Sequence, residues 1–319
     1  MNHLDAWSTG AQALTLLSAA HRLGWIQFLV RPRKTAELIQ FTGLRQERLK
    51  DALGALAALG VVELTGDDVR LSAPFAEMMT PDGFAALRDT LELAHLTTRL
   101  VAEVVEGDES PVLSGADSLT VARGVTFQPA EVGRDIFRQT MDSLPEYTDA
   151  IRRGRVLDVG CGVASGLLTT ASIFPEMQGL GIELVPAVAE EASRRASEQG
   201  VAERIEIRSL DVREFDETAA YSACFWAQPF FRKQDRLPTL RVIHKALAPG
   251  GVLLEQELMS EPADPADQAA FALSRLTFQA QGIAFAPTAE SLAQEAQSAG
   301  FTLVRIASTN LGRMVVLRR

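Results

Sequence analysis

The chain has 319 residues, of which 47% are hydrophobic and 23% are charged, and its net charge is −10. This length allows two domains with sizeable cores, and the acidic balance argues against a nucleic-acid partner because polyanions are repelled. The two cysteines and four histidines form no disulfide framework and no metal-ligand spacing, so we predict no bound metal.

No apolar run reaches the length of a membrane-spanning helix, and the first residues lack a signal-peptide pattern. We therefore expect a cytoplasmic protein that has no membrane partner.

Residues 1–150 are predicted to be mainly helical. Residues 11–29 have apolar side chains at helical spacing, and residues 35–64 predict a helix, a turn at Gly43, a second helix and a strand. Residues 61–72 predict a β-hairpin with glycine and aspartate at its turn. Two helices followed by a hairpin are typical of a winged helix.

A winged helix raises the possibility of DNA binding, which the local charge opposes. Between residues 34 and 79 there are five basic and seven acidic residues: Lys34, Arg45, Arg48, Lys50 and Arg70 against Glu37, Glu47, Asp51, Glu63, Asp67, Asp68 and Glu77. An element that reads a DNA groove is expected to be basic. A scaffold for dimerisation or for enclosing a substrate is the favoured interpretation.

Further helices are predicted before the first half ends. Residues 84–107 form one helical pattern, and residues 129–151 form one or two more. Residues 114–124 are rich in glycine and serine, so we expect a loop there.

From about residue 154 the pattern changes to alternating strands and helices. Strands are predicted at 155–160, 177–184, 204–211, 222–228 and 250–258, and helices at 166–174, 188–200 and 236–248. This alternation predicts an α/β fold with a doubly wound, Rossmann-like, mostly parallel sheet in a second domain, residues 151–319. Ligands of such sheets bind beyond the carboxyl ends of the strands.

The stretch VLDVGCGVASG, residues 156–166, follows the first of these strands. Its third glycine comes one residue too late for the dinucleotide fingerprint, and it lacks the lysine of a P-loop. What remains is an acid, Asp158, before a tight turn that contains Gly160 and Gly162. An acid at such a turn suits a cationic ligand or a ribose and disfavours a pyrophosphate.

At this stretch the sequence resembles the class I S-adenosylmethionine-dependent methyltransferases. Their first motif is an acid followed by Gly-x-Gly-x-Gly, which LDVGCGVASG matches except that Ala164 stands at the last glycine. The family's proline-glycine-glycine entry to strand five is matched by LAPGGVLLE, residues 247–255. The resemblance implies that Asp158, Gly160 and Gly162 bind S-adenosyl-L-methionine.

The resemblance also assigns the acids that end the next two strands. Glu183 matches the acid that holds the ribose hydroxyls, and Asp211 matches the acid beside the adenine, with Val212 at the adenine edge. Trp226, after the fourth strand, is expected to contact the cofactor. In the same segment and beyond it, Gln228, Phe231 and Phe278 are candidates for binding the acceptor.

The helical N-terminal half resembles that of the small-molecule O-methyltransferases of bacterial natural-product and plant phenolic pathways. In that group the N-terminal domains intertwine in a homodimer, and the acceptor pocket lies between domains. The resemblance therefore implies a dimerisation and substrate-enclosing domain at residues 1–150, a homodimer, and a small-molecule acceptor.

Many of these relatives carry a histidine base after strand five, and this chain does not. Gln256 and Glu257 occupy that place. Glu257 is a candidate base, and an orienting or solvated carboxylate is an equal alternative. His95 is a further candidate that a structural role would also explain.

The predicted function is methyl transfer from S-adenosylmethionine to a small molecule, with oxygen favoured over carbon or nitrogen. In-line alignment of the acceptor with the methyl group supplies most of the rate in this interpretation. Two alternatives stay open: a non-methylating reaction on the same fold, such as decarboxylation, hydroxylation or cyclisation, and a winged-helix regulator that senses the cofactor.

Overall fold

The computed structural model describes residues 3–81, 83–107, 110–128 and 130–319. The chain forms two compact units, Met1–Glu92 and Leu93–Arg319. None of the helices within the described ranges combines the length and the hydrophobicity of a bilayer-spanning segment.

The first unit contains the helices and the hairpin that its sequence predicts. Its elements are α1 (His3–Arg22), α2 (Trp25–Phe28), β1 (Arg33–Lys34), α3 (Thr35–Thr42), α4 (Gln46–Ala58), β2 (Val62–Thr65), β3 (Asp68–Leu71), α5 (Ala73–Glu77) and the start of α6 (Leu87–Glu106). Gly43 ends α3 in the left-handed conformation, with φ of 68°. The antiparallel strands lie in the order β1, β3, β2.

The core of this unit is aliphatic. Leu38 of α3 packs with Leu49 and Leu56 of α4 and with Val69 of β3, and all four are almost completely buried. Each helix presents its leucines at helical spacing, so the hydrophobic face and the observed burial coincide.

The second unit begins with helices that precede its sheet. After the end of α6 come α7 (Gly115–Gly124), α8 (Glu131–Asp142) and α9 (Pro145–Arg153). Met141 and Tyr147 of these helices share a core with Val156 and Leu254 of the sheet. This shared core explains why the compact unit starts at Leu93, whereas the sequence pattern placed the division at residue 150.

The prediction of a loop at residues 114–124 is wrong, because α7 occupies this segment. Ser114 caps the helix: its side chain accepts a hydrogen bond from the Asp117 backbone N–H, and the Asp117 carboxylate accepts one from the Ser114 backbone N–H. This capping box, followed by good helix formers, outweighs the glycine at each end.

The sheet of the second unit is the predicted doubly wound one. Its remaining elements are β4 (Val156–Val159), α10 (Ser165–Ile173), β5 (Gly179–Glu183), α11 (Pro186–Glu198), β6 (Ile205–Ser209), β7 (Tyr221–Trp226), α12 (Lys233–Ala246), β8 (Leu247–Gln256), α13 (Gln268–Ala280), α14 (Ala289–Ser298), β9 (Thr302–Thr309) and β10 (Gly312–Arg318). The strands lie in the order β6, β5, β4, β7, β8, β10, β9.

The strand order reverses between β4 and β7, which is the position where open α/β sheets bind ligands. Strands β4 to β8 are parallel, and β10 pairs antiparallel with both β8 and β9. No helix or strand was predicted after residue 258, so α13, α14, β9 and β10 are found only in the structure.

The two faces of the sheet bury different sets of side chains. On β7, Ala223 and Phe225 face one core with Val156 and Leu254, while Cys224 and Trp226 face the other with Leu157 and Leu253. Because side chains alternate along a strand, the face on which a residue lies decides which residues of the neighbouring strands it can contact.

We predict that Gly181→Ala destabilises the second unit. A Cβ atom at Gly181 would lie 2.8 Å from the Sγ atom of Cys161 and 2.9 Å from the Cδ1 atom of Ile207. Overpacking of this kind costs roughly 1–3 kcal/mol of unfolding free energy. Gly115→Ala is the matched control, because its Cβ would meet Ala187 at an ordinary 3.7 Å. Equal unfolding midpoints in urea for both variants would contradict this packing.

Candidate functional site

The turn between β4 and α10 is built from residues in the left-handed conformation. Gly160, Gly162 and Ala164 have φ values of 73°, 57° and 61°. The alanine adopts a conformation that costs an L-residue about 1–2 kcal/mol, and it is completely buried. Surrounding packing therefore holds the turn, and the departure from the family's third glycine leaves the turn geometry in place.

Gly160 is required by a close contact as well as by its backbone angle. A Cβ atom there would lie 2.8 Å from the Cε2 atom of Phe231. At Gly162, the nearest atom to such a Cβ is the Cβ of Ala122 on α7, at 3.9 Å. The turn is thus packed on one side by Phe231 and lies close to α7 at Gly162.

Glu183, at the end of β5, is tied to this turn. Its Oε2 atom accepts a hydrogen bond of 3.0 Å from the Gly162 backbone N–H, and its Oε1 atom accepts one of 2.9 Å from the Val185 N–H. Burial raises the pKa of Glu183, and the hydrogen bonds from Val185 and Gly162 oppose that rise. Each oxygen keeps a lone pair for a further donor, such as a ribose hydroxyl.

Asp158, on β4, is the most unusual group of the site. Its exposed fraction is 5%, and its Oδ1 atom has no hydrogen-bond partner. Burial, followed by the charge of Glu183, raises its pKa to about 7. A buried polar atom without a partner commonly marks a place where a ligand or water binds.

A small cavity of about 60 Å³ adjoins Asp158. Its wall includes Tyr147 of α9, Phe225 of β7 and Gln256 of β8, together with residues of α8 and α10. The side chain of Gln256 donates a hydrogen bond of 2.6 Å to the Leu311 carbonyl. The sequence pattern identified Asp158 and Gln256 here but not Tyr147 or Phe225. Phe225 could have been found, because it lies beside Asp158 on the neighbouring strand and faces the same side of the sheet.

Asp211 and Val212 begin a short 3₁₀ turn after β6. The Asp211 carboxylate accepts hydrogen bonds from the backbone and side chain of Arg213, which also pairs with Asp235. The ion pair with Arg213 lowers the pKa of Asp211. Val212 is buried in the second core of the sheet.

Trp226 and Gln228, which were predicted to bind the cofactor and the acceptor, make extensive contacts within the protein. Both are completely buried, and Trp226 faces the core opposite to that of Asp158. The Gln228 side chain accepts a hydrogen bond from Arg236 and donates one to the Gln256 carbonyl. The guanidinium of Arg236 lies 4.9 Å above the Trp226 ring. These contacts make both residues part of the packing that holds the loop after β7.

The candidate bases also have structural contacts. Glu257 accepts hydrogen bonds from the Ala289 backbone N–H, the Ser260 hydroxyl and the Arg313 guanidinium. His95 is exposed on α6. Neither Glu257 nor His95 belongs to the wall of the cavity beside Asp158.

Phe278, on α13, lies in a cluster of aromatic rings. Its ring centroid is 5.6 Å from that of Phe285, which is 4.9 Å from Phe271. The contacts of Phe278 are therefore those of a packed aromatic group.

A larger open groove of about 960 Å³ lies at the opposite edge of the sheet, before β4 and β5. Arg152, Arg153 and Arg155 contribute to its wall beside the last turn of α9. Basic side chains complement the negative end of a helix. Because ligands bind at the other edge of such a sheet, this groove is not the candidate site.

The residues at the turn fit a cationic nucleoside. Asp158 offers a buried, unpartnered oxygen, and Glu183 offers free lone pairs beside its hydrogen bond from the Gly162 N–H. Across the described parts of the chain, no group of three or more His, Cys, Asp or Glu side chains is arranged to hold a metal ion.

Residues 156–251 match a family model whose description is a methyltransferase domain. Among curated proteins, the demethylspheroidene O-methyltransferase of Rhodobacter capsulatus is 24% identical over 276 residues, which are 84% of this chain and 68% of that protein. The tRNA1(Val) (adenine(37)-N6)-methyltransferase of Yersinia pestis is 33% identical over 116 residues, which are 34% of this chain.

The chain spans 42% of the uncharacterized protein RP028 of Rickettsia prowazekii and 43% of the Yersinia protein, so these matches cover less than half of either relative.

Solved structures share the whole fold. The mitomycin 7-O-methyltransferase MmcR has a TM-score of 0.73 at 21% identity, with 99% of this chain and 96% of that chain covered. Human N-acetylserotonin methyltransferase in complex with SAM has a TM-score of 0.72 at 16% identity, with 99% and 96% covered. At these identities the likeness concerns the fold.

The matched domain, the shared fold and a turn that fits a cationic nucleoside lead to one assignment. Residues 156–251 carry a methyltransferase domain, and the chain shares its fold with solved methyltransferase structures.

Proposed function

We propose that the enzyme transfers the methyl group of S-adenosylmethionine to an oxygen atom of a small-molecule natural-product intermediate. The observation that carries this proposal is the buried, unpartnered Asp158 on the strand that leads into the turn: the described residues around its cavity include aromatic and amide side chains such as Tyr147, Phe225 and Gln256, with no histidine, lysine or arginine among them. This cavity of about 60 Å³ is smaller than a typical ligand pocket, so we propose that these residues form one part of the wall that orients the acceptor. The relative from Rhodobacter capsulatus and the MmcR structure are both named as O-methyltransferases.

Each cofactor-binding residue has a distinct part in this proposal. Glu183 would accept hydrogen bonds from the ribose hydroxyls while it keeps its hydrogen bond from the Gly162 N–H. Asp158 provides negative charge at the turn, and Gly160 and Gly162 allow close backbone approach. Asp211, held by Arg213, shapes the turn that places Val212 at the adenine.

The protein contributes alignment more than proton transfer. Bound S-adenosylmethionine supplies an already electrophilic methyl group on its sulfonium. Positioning of reactants can contribute roughly 7–11 kcal/mol in favourable systems. Gln256, fixed by the Leu311 carbonyl, orients the acceptor from the cavity wall without acting as a base.

The remaining assignments are proposed on the resemblance to small-molecule O-methyltransferases. Residues 1–150 act in dimerisation and substrate enclosure, and the enzyme works in the cytoplasm as a homodimer. Phe231 packs against Gly160 and so supports the turn, which makes its effect on the acceptor indirect.

The direct test incubates the purified chain with methyl-labelled cofactor and a panel of small phenols, enols, alcohols and amines. We expect one added methyl group, located on oxygen by NMR, and an equal amount of demethylated cofactor. Labelled product on carbon or nitrogen would overturn the oxygen assignment. Turnover of the cofactor without a methylated product would favour a non-methylating reaction.

Glu183→Gln should weaken cofactor binding roughly tenfold to a hundredfold. The change removes one charge-assisted acceptor, and such hydrogen bonds contribute about 1.5–3 kcal/mol. Calorimetric titration with the demethylated cofactor measures the effect. Glu190→Gln, at an exposed position of α11, is the matched control. Equal affinities of the two variants would remove Glu183 from the ribose site.

The Glu257→Gln variant tests whether Glu257 has a structural role or acts as a general base. Because Glu257 pairs with Arg313 and accepts the Ala289 N–H, we expect a lower unfolding midpoint and a kcat within about threefold of the parent enzyme. A general base would contribute about 10²–10⁴-fold to the rate. Glu290→Gln, which removes the exposed second partner of Arg313, is the control. A loss of kcat above a hundredfold in Glu257→Gln alone would make Glu257 the base.

A further inference from the structure

Asp158 lies in surroundings that offer no positive charge. The described residues that line its cavity include no lysine, arginine or histidine. The charged group that acts on it is Glu183, which is itself a carboxylate. The transfer of an unpaired carboxylate from water into such a place is costly, and a group in this position takes up a proton.

The groups that face Asp158 from each packed element are neutral or acidic. Tyr147 of α9 and Cys161 of the turn, and also Cys224 on the opposite face of β7, each feel its charge, and burial raises the pKa of all three. The α8, α10 and β8 elements contribute threonines and Gln256. None of these neighbours can balance a negative charge on Asp158 near neutral pH.

Glu183 differs from Asp158 in how its charge is supported. Both of its oxygens accept backbone N–H bonds, whereas the Oδ1 atom of Asp158 accepts none. Hydrogen bonds to the charged form favour ionisation. Of the two carboxyl groups, Glu183 is the one that stays ionised and Asp158 is the one that holds the proton.

We propose that Asp158 is neutral in the empty site and gives up its proton when the sulfonium cofactor binds, so that the enzyme distinguishes this cation from its neutral thioether product by one proton. The inference rests on the placement of the cofactor at the Gly160–Gly162 turn. The O–H bond of the carboxyl breaks, its electron pair stays on Asp158, and the proton passes to solvent. When the methyl group has left and the product departs, Asp158 takes a proton back from solvent.

This coupling gives the two ligands different pH dependences. At pH values below the Asp158 pKa of about 7, each unit of rising pH strengthens binding of the sulfonium cofactor by up to tenfold, and the gain ends above that pKa. The thioether product has no sulfonium charge, so its affinity changes less. Both ligands carry the same amino-acid and nucleoside groups, whose contributions cancel in the difference.

The experiment is calorimetric titration of the full chain at pH 6 in two buffers that differ in ionisation enthalpy. S-adenosylmethionine and S-adenosylhomocysteine are titrated separately, with no acceptor present. We expect close to one more proton to be released with the sulfonium ligand than with the thioether. Equal proton release for the two ligands would overturn the proposal.

Asp158→Asn and Glu190→Gln complete the design. The asparagine variant should abolish the difference in proton release, and the Glu190 control should retain it. If the asparagine variant fails to fold, infrared difference spectra of the parent chain replace it: the protonated-carboxyl stretch should be lost on adding S-adenosylmethionine and kept with the thioether. Retention of that stretch with both ligands would contradict the inference.

These outcomes differ from a failure of the proposed function. No acceptor is needed for proton release, so methylation on carbon or nitrogen would leave this result unchanged. A chain that binds neither ligand would refute the assignment of S-adenosylmethionine as cofactor, on which both proposals rest.

Discussion

The tight turn after β4 is the constraint on which the rest of the site depends. It places three residues in the left-handed conformation within five positions, and one of them is the alanine Ala164. Such a turn persists only where its surroundings hold it. Phe231 packs on one side and Glu183 hydrogen-bonds from another. The turn brings the end of β4 and the start of α10 to the point where the strand order reverses, which is where a ligand must bind.

The alternation of side chains along the strands then decides which residues can take part. Asp158 and Gln256 meet at one cavity because they face the same core as Val156 and Leu254. Trp226 lies next to Phe225 in the sequence yet faces the other core. These two neighbouring positions on β7 therefore face opposite sides of the sheet, and Arg236 stacks on Trp226.

Much of the fold and part of the site could be predicted from the sequence. Asp158 and Glu183 were identifiable because strand ends carry the chemistry of doubly wound sheets, and both lie at the turn. The hydrogen bonds of Gln228 to Arg236 and Gln256 could not be predicted, because they depend on tertiary contacts that no local pattern records, and its role at the acceptor stays a prediction. The helix α7 was missed because two glycines outweighed the capping signal of Ser114 and Asp117. The missed helix reflects a local capping signal, whereas the contacts of Gln228 include one with Gln256, which is distant in the sequence.

The ion-pair network behind the turn has a consequence for acid conditions. Glu191 of α11 pairs with Arg123 of α7 and with Arg195, and Arg195 also reaches the hydroxyl of Ser165 at the start of α10. The hydrogen bonds from Arg194 and then Arg195, together with the charge of Arg123, lower the pKa of Glu191 to about 2. We therefore expect the ion pairs that join these three helices to persist below the pH range in which Asp158 is proposed to exchange its proton. A change of charge at Asp158 would then leave these ion pairs in place.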